Sequence, residues 1–217
     1  MRTPQLRRSS ATAVLVVALA VAAGLLAGNS RAGRHAAMGA SCAWPPLTQP
    51  FLRWADPAQY FLVPGGNFEG ALSGWTLSGG AKVVSGNESY HVGSASDSKS
   101  LALPTTSSSV TTPTICVTAL SPTFRLFLLN NGANGHTDGQ LAFYLNFTGA
   151  DGKPQQVKIA GLKGGTSWSL SLPISFIQYI TTPLQSGYAN VSFTIKPNDN
   201  HGNWQIDDFY VDPIKSQ

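Results

Sequence analysis

Five carboxylates bound the chemistry this chain can attempt. Residues 204–212 read WQIDDFYVD, which sets Asp207 and Asp208 side by side in a run that otherwise looks like a buried strand. Adjacent acids in such a run have three readings: a catalytic pair, metal ligands, or a solvated strand edge. Glu69, Glu88 and Asp97 are the other candidates. Glycoside hydrolysis needs two carboxyl groups about 5–9 Å apart across a cleft. The chain has only two Glu, and neither sits in an evident aromatic pocket that would tune it as an acid. A hard cation such as Ca²⁺ instead takes oxygens from carboxylates and turn carbonyls. NFEG 67–70, GSASDSKS 93–100 and IDD 206–208 offer such oxygens, and a cation would offset the cost of burying an unpaired Asp. The plainer alternative sends one Asp to solvent and lets the other cap a turn or meet Arg or Lys. Spacing alone leaves the two open.

Other chemistries find less support. There is no G-x-S-x-G motif and no βαβ context for one. His35 lies in the leader, and His91, His136 and His201 fall in turn-like or strand-edge contexts, with nothing nearby that poises a serine. Cys42 and Cys116 lack the thiol or imidazole partners of a metal site. An even count in an exported chain points to a disulfide. It would close a loop of about 75 residues, worth about 4 kcal/mol on the chain-entropy account. It would also pin the Pro-rich CAWPPLTQPFLRW to a core strand.

Export is read from the start of the chain. MRTPQLRRSS is positively charged, ATAVLVVALAVAAGLLAG is an 18-residue apolar run rich in Ala, and small residues follow. This is the layout of a secretory signal, with an uncleaved membrane anchor as the alternative. The basic pI near 9.2 comes from here: five of the 14 Lys and Arg lie in the first 34 residues, and no acid precedes Asp56. The remaining nine oppose ten acids. The folded part is thus nearly neutral, without the basic face that nucleic acid requires. The expected organisation is a leader over 1–40, a Pro-rich arm over 41–64 and one domain over 65–217.

The elements that must position these residues are short apolar alternations separated by Gly, Ser, Asn and Pro. Strands are predicted over 60–63, 74–78, 81–85, 100–104, 114–120, 123–130, 140–148, 155–162, 167–172, 189–197 and 204–211. Asp-Gly in ADGKP 150–154 marks a hairpin turn. Only ISFIQYI 174–180 and the segment before Gly65 could hold a helical turn. The pattern predicts an all-β, antiparallel β-sandwich. TTSSSVTT 105–112 and NNGANGHTDG 130–139 are the least core-like stretches. Alternation sorts the faces. Phe124, Leu126 and Leu128 oppose Arg125, Phe127 and Leu129; Leu141, Phe143, Leu145 and Phe147 oppose Tyr144 and Asn146. One sheet is therefore expected to keep an open, mixed polar–aromatic outer surface. Trp75, Trp168, Trp204, Tyr144, Tyr179 and Tyr188 could stack on sugar rings there, although rings of this size more often fill cores.

GGNFEGALSGWTLSGGAKVV, HVGSASDSKSLAL and WQIDDFYVDP together resemble the galactose-binding-like jelly roll, a fold used by many secreted carbohydrate-binding modules. The family's opening motif is matched in shortened form by Asn67-Phe68-Glu69 with Gly74-Trp75, and its last strand by Ile206-Asp207-Asp208-Phe209. The stretch CAWPPLTQPFLRWADPAQYFLVPGGNFE also resembles the start of a group of secreted actinobacterial proteins of unassigned function. The jelly-roll resemblance implies a structural Ca²⁺ held by Asn67, Glu69, Asp97 and Asp207, tying the ends of the chain together. It also implies a glycan site. That site would lie on the concave sheet face at Arg125, Phe127, Tyr144 and Asn146, or on loops at one end, at 130–139 and Trp168. The expected function is an exported, non-catalytic carbohydrate-binding protein, with polysaccharide as partner. The alternative is an envelope structural or protein-interaction domain, which would show a contiguous apolar patch.

Overall fold

The computed structural model describes residues 42–118, 123–180 and 187–212. The expected leader over 1–40 lies outside them. Thirteen strands run in order: β1 (Phe61–Leu62), β2 (Thr76–Ser78), β3 (Lys82–Ser85), β4 (Lys99–Leu103), β5 (Ser109–Thr111), β6 (Ile115–Thr118), β7 (Thr123–Asn130), β8 (Gln140–Thr148), β9 (Pro154–Lys163), β10 (Ser169–Leu170), β11 (Ile174–Ser175), β12 (Tyr188–Pro197) and β13 (Trp204–Asp212). The first sheet has the order β10-β7-β13-β4-β3, with β1 also on β13 and β11 also on β7. The second has the order β2-β5-β12-β8-β9, with β6 also on β12. All pairings are antiparallel. This is the expected β-sandwich of jelly-roll type. Among the described residues there is no α-helix, and no helix is long and apolar enough to cross a membrane. The two short 3-10 turns, Leu52–Trp54 and Ile177–Tyr179, fall in the two segments where the sequence allowed a helical turn.

The core lies between the sheets and follows the period-two pattern. Phe124, Leu126 and Leu128 of β7 meet Leu141, Phe143 and Leu145 of β8 and Val191, Phe193 and Ile195 of β12. Phe124 is a hub, with its ring stacked on Phe209 at 5.3 Å and tilted against Phe143 and Phe193. The 149–153 turn closes the β8–β9 hairpin through Gly149 N–H to Lys153 O, with Gly152 at φ 74°. Two strands escaped the sequence reading, β5 and also β11, which lies in the segment read as a possible helical turn. β5 lies within the tract TTSSSVTT, where a single apolar residue, Val110, enters the core. Its neighbours face outward and pair through hydroxyls, Thr111 with Thr194 at 2.8 Å and Ser109 with Ser78 at 2.9 Å. A strand held by side-chain hydrogen bonds shows little apolar alternation.

The Pro-rich arm contacts both sheets. Its start is fixed to β6 by the Cys42–Cys116 disulfide, with Cα atoms 5.4 Å apart, and by Trp44 Nε1–H donating to Cys116 O at 2.7 Å. It then closes on itself through paired Thr48–Tyr60 backbone bonds, both 2.8 Å. This lays Phe51 and Trp54 over the outer face of the first sheet. Phe51, Tyr60, Phe127 and Tyr210 form a second apolar cluster there. Arg125 lies at its edge. Its guanidinium meets Asp56 at 2.6 Å, donates through Nε to Ser171 O at 2.9 Å and covers the Phe51 ring at 5.0 Å. Burial alone would raise the Asp56 carboxyl. The hydrogen bonds from Arg125, Tyr60 and the Ala58 N–H outweigh it and hold the group below its ordinary range.

Two outcomes test this arrangement. Arg125→Ala leaves Asp56 charged and poorly solvated, so urea unfolding should show a loss of about 3 kcal/mol, with new protease cuts within 48–60. The Asp56 contribution is full above its unfolded pKa and fades as pH falls through the lowered folded value, so the variant's deficit should shrink below about pH 3–4. Replacing Cys42 and Cys116 by Ser should cost about 4 kcal/mol, read by the same titration.

Candidate functional site

The acidic site grows from a break in alternation. In strict period two, Ile206 and Asp208 would share a face. In the structure, Ile206 and Phe209 are both in the core, and a bulge between Asp207 and Tyr210 absorbs the extra residue, with Asp208 at φ 50°. A bulge bends the strand and re-aims a side chain. Here it separates two adjacent acids. Asp207 Oδ2 accepts from Glu88 N–H at 3.0 Å and its Oδ1 from Asp208 N–H at 2.9 Å. Glu88, itself buried, accepts from the N–H groups of Tyr90 and Val92, both at 2.5 Å. Glu88 and Asp207 thus fix the 87–92 turn over the first sheet.

Asp208 turns the other way, toward Asp97. Both oxygens of Asp208 and Oδ2 of Asp97 are buried with no hydrogen bond of good geometry, and the Gly93 backbone N–H faces the Asp208 carboxylate and opposes its upward shift without cancelling it. Gly93 completes this cradle, since a Cβ there would lie 2.6 Å from Asp97 Oδ2 and 3.3 Å from Asp208 Oδ1. The first motif is bound to the same bulge by backbone: Val63 N–H to Phe209 O and Phe209 N–H to Gly66 O, both 3.0 Å. Gly66 is required at this approach, because a Cβ would stand 2.8 Å from Val63 O and 3.0 Å from Phe209 O. The chain then reverses through Phe68 at φ 56°, a conformation bulky residues rarely take. Phe68 goes into the core against Trp75, and Glu69 goes to the 97–99 loop. Glu69 accepts from Ser98 N–H at 2.6 Å and Lys99 N–H at 2.5 Å.

The electrostatics match this crowding. Burial and then the charge of Asp208 push Asp207 up to about 9. Burial, then Glu88 and Asp97, push Asp208 up to about 7. Burial and the nearby Glu69 also raise Asp97, with the Asn67 side-chain amide opposing them. Glu69 differs: burial is the largest single influence and raises it, but the N–H groups of Ser98 and Lys99, the Lys99 charge and the Ser98 hydroxyl together outweigh that and lower it. Carboxylate oxygens buried and crowded in this way fit either a bound proton or the donor set of a hard cation. Of the expected set, Asn67, Glu69 and Asp97 converge. Asp207 does not, because the bulge gives its place to Asp208.

The expected sugar-contact residues do not share one face. Arg125 and Phe127 are on β7 in the first sheet and Tyr144 and Asn146 on β8 in the second. Phe127 is fully buried beneath Phe51, Trp54 and Tyr90, and Arg125 is ion-paired beneath the arm. The expectation of an open face at these two is therefore corrected: the arm covers them. Trp168 is half-buried beside the same cluster. Trp75 and Trp204 are core residues.

The second sheet keeps an outer face of polar side chains around a half-exposed Tyr144. Asn146 Nδ2 donates to Ser192 Oγ at 3.2 Å and Thr194 Oγ1 at 3.0 Å, while its Oδ1 accepts from Gln156 Nε2 at 2.7 Å. Lys158 reaches Asn198 Oδ1 at 2.9 Å, and the Lys196 ammonium lies 4.6 Å from the Tyr144 ring centre. None of β2, β5, β6, β8, β9 or β12 carries an Asp or Glu. Gln156, Ser192 and Thr194 were missed in the sequence. Their signal was available, since they are the outward positions of β9 and β12 opposite Asn146 and Tyr144.

No protein-family profile and no curated protein matches the sequence. Solved structures similar to the chain include the xylan-binding CBM22-1 domain of Xyn10C from Paenibacillus barcinonensis, at 16% identity and a TM-score of 0.45, covering 69% of this chain and 91% of that one. TmCBM61 in complex with β-1,4-galactotriose matches at 19% identity and 0.40, covering 68% and 94%. The family 11 carbohydrate-binding module of the cellulosomal cellulase Lic26A-Cel5E from Clostridium thermocellum matches at 12% identity and 0.41, covering 73% and 96%.

Proposed function

We propose that this chain is an exported, non-catalytic carbohydrate-binding protein directed at cell-wall or other polysaccharide, with its glycan site on the outer face of the second sheet. The observation that carries the reading is the Tyr144 face. An aromatic ring offers an apolar platform for the C–H face of a pyranose. Amides and hydroxyls already aligned by Asn146 offer donors and acceptors to sugar hydroxyls. Hydrolysis requires two carboxyl groups, and the strands of this face supply none. The disulfide and the signal-like leader support export. Trp168, on the other sheet, is not part of this site.

We further propose a structural Ca²⁺ held by Asp97, Asp208 and Glu69 with Asn67 beside them. Bound there, the ion would neutralise the acidic cluster. Held by one ion, these residues would add to the Val63 and Gly66 bonds on Phe209 in joining the first motif, the 93–99 loop and the β13 strand.

Two measurements check these readings. In a retention screen on insoluble polysaccharides with the disulfide-bonded protein, Tyr144→Ala and Asn146→Ala should each weaken binding at least about tenfold, with both variants still folded and Asn146→Ala showing a small Tm loss from its missing hydrogen bonds. Equal retention by both variants and the parent, or no retention by the parent on any polymer, would overturn the glycan site and favour a protein partner. For the ion, Tm is followed against pH in chelator and in excess calcium. A carboxyl raised on folding binds more protons in the folded than the unfolded state, so stability falls as pH climbs from the ordinary value toward the raised one. For Asp208 and Asp207 that window runs from 3.8 up to about 7 and about 9. In chelator Tm should fall across it. Calcium at 100 times its Kd should restore about 2.7 kcal/mol, or about 5–10 °C. Asp208→Asn should stabilise the chelated protein at pH 8 and abolish the calcium response.

A further inference from the structure

Away from the acidic cradle, at the end of the sandwich where β7 leads to β8 and β12 to β13, two loops meet. The 130–139 loop carries His136 and Asp138, and the 198–203 loop carries His201. The imidazoles are face to face, with ring centres 3.9 Å apart and planes 7° from parallel. Both present Nδ1 to one carboxylate oxygen, Asp138 Oδ1, at 3.6 Å from His136 and 3.2 Å from His201. The potential ligand atoms of all three residues lie within 4.8 Å of one another.

We propose that His136, Asp138 and His201 form a binding site for a divalent transition cation of the zinc type, distinct from the acidic cradle in both place and donor set. Two imidazoles and one carboxylate suit zinc, copper or nickel and not calcium. A tetrahedral ion with ligand bonds of about 2.0–2.1 Å separates its ligand atoms by about 3.4 Å. The two observed nitrogen–oxygen separations, 3.6 and 3.2 Å, bracket that spacing. Three protein ligands leave a fourth position for water or an external donor.

The loops are built to hold these groups. Asn130 Oδ1 accepts from Gly132 N–H and Asn203 N–H, at 2.9 and 3.1 Å, one on each loop. Asn131 N–H donates to Asn203 O at 2.9 Å, and Asn134 Nδ2 to Asn200 O at 2.9 Å. Asp199 fixes the second loop, accepting from His201 N–H at 3.1 Å and from Gln140 N–H at 3.0 Å. A reciprocal backbone pair, Ala133 with His136, closes the turn beneath the first imidazole. Backbone placement is thus preset, while the side chains of His136, His201 and Asp138 are 50%, 34% and 69% exposed. An imidazole lone pair lies in the ring plane, so binding requires the stacked rings to splay until both Nδ1 atoms aim at one ion. Rings at the surface can make that turn without disturbing the core.

The test is calorimetric titration of the disulfide-bonded protein with Zn²⁺ in saturating Ca²⁺, together with ¹⁵N NMR of the histidine rings. One zinc should bind per chain, shift the Nδ1 resonances of His136 and His201 together and leave His91 unchanged. His136→Ala, His201→Ala and Asp138→Asn should each weaken binding at least about tenfold, with Tm in chelator unchanged. Asp208→Asn should leave zinc affinity unchanged. Absence of saturable binding overturns the proposal. So does a His136→Ala/His201→Ala double variant that binds like the parent, or zinc binding that is lost with Asp208→Asn.

Discussion

The sandwich is organised around two adjacent carboxylates folded into its last strand. β13 runs through the middle of the first sheet, pairing with β7, β4 and β1, and an unpaired charge in such a place is costly. The bulge resolves the geometry before any ligand does. It sends Asp207 to the Glu88 turn and Asp208 to Asp97, and it exposes the Phe209 backbone for bonds to Val63 and Gly66. The opening motif, the 87–99 connection and the last strand are thereby tied to one irregularity. What the bulge does not resolve is charge. Asp207 finds two backbone donors in good geometry, whereas Asp208 has the Gly93 N–H alone facing it and one oxygen of Asp97 has no partner. The protein must then hold a proton there, accept a cation, or lose stability as pH rises.

A second asymmetry comes from the arm. Antiparallel sheets can leave one face to solvent, and here the choice between sheets is made by residues 48–60. They supply Phe51, Trp54 and Tyr60 to one outer face and close over Arg125 with Asp56. The arm meets the other sheet at β6, through the disulfide and the Trp44–Cys116 hydrogen bond, and Tyr144 on β8 stays half-exposed. Covering one sheet decides which of two alternating patterns becomes core and which stays a surface, although β7 and β8 read alike as sequence.

That is why the sequence reading succeeded where it did. Strand positions, the 149–153 turn, the disulfide pair and the core faces of β7, β8 and β12 follow from local alternation and composition. The acidic cluster was legible as a set, because NFE, SASDS and IDD bring hard oxygen donors. The choice between Asp207 and Asp208 turned on the bulge. Its signal was present: Ile206 and Phe209 are three apart, so both enter a core only if one residue is added between them. Placing Arg125 and Phe127 with Tyr144 failed for a different reason. Alternation reports which residues share a side of one strand, and says nothing of which strands share a sheet or what a distant arm covers. β5 was missed because its hydroxyl pairs replace apolar contacts.

The open face raises one energetic question, since Lys196 already lies over the Tyr144 ring. A cation–π contact at an exposed site is worth about 0.5–1 kcal/mol. Aromatic pairing and burial of a large ring are worth at least as much, and a sugar plane would add hydrogen bonds from the Asn146 network. The ammonium is also strongly hydrated and sits on a flexible stem, so it loses little by returning to water. On the proposed glycan reading, Lys196 would be a displaceable cover over the ring. Asn146 differs, because its amide spends donors and acceptor on Ser192, Thr194 and Gln156 at once. It is held in one orientation before any ligand arrives, and ordering of polar side chains is among the costs that most weaken binding. The face combines a movable cation with a fixed amide, and on the proposed reading adaptability would lie at the ring and selectivity at the hydrogen bonds.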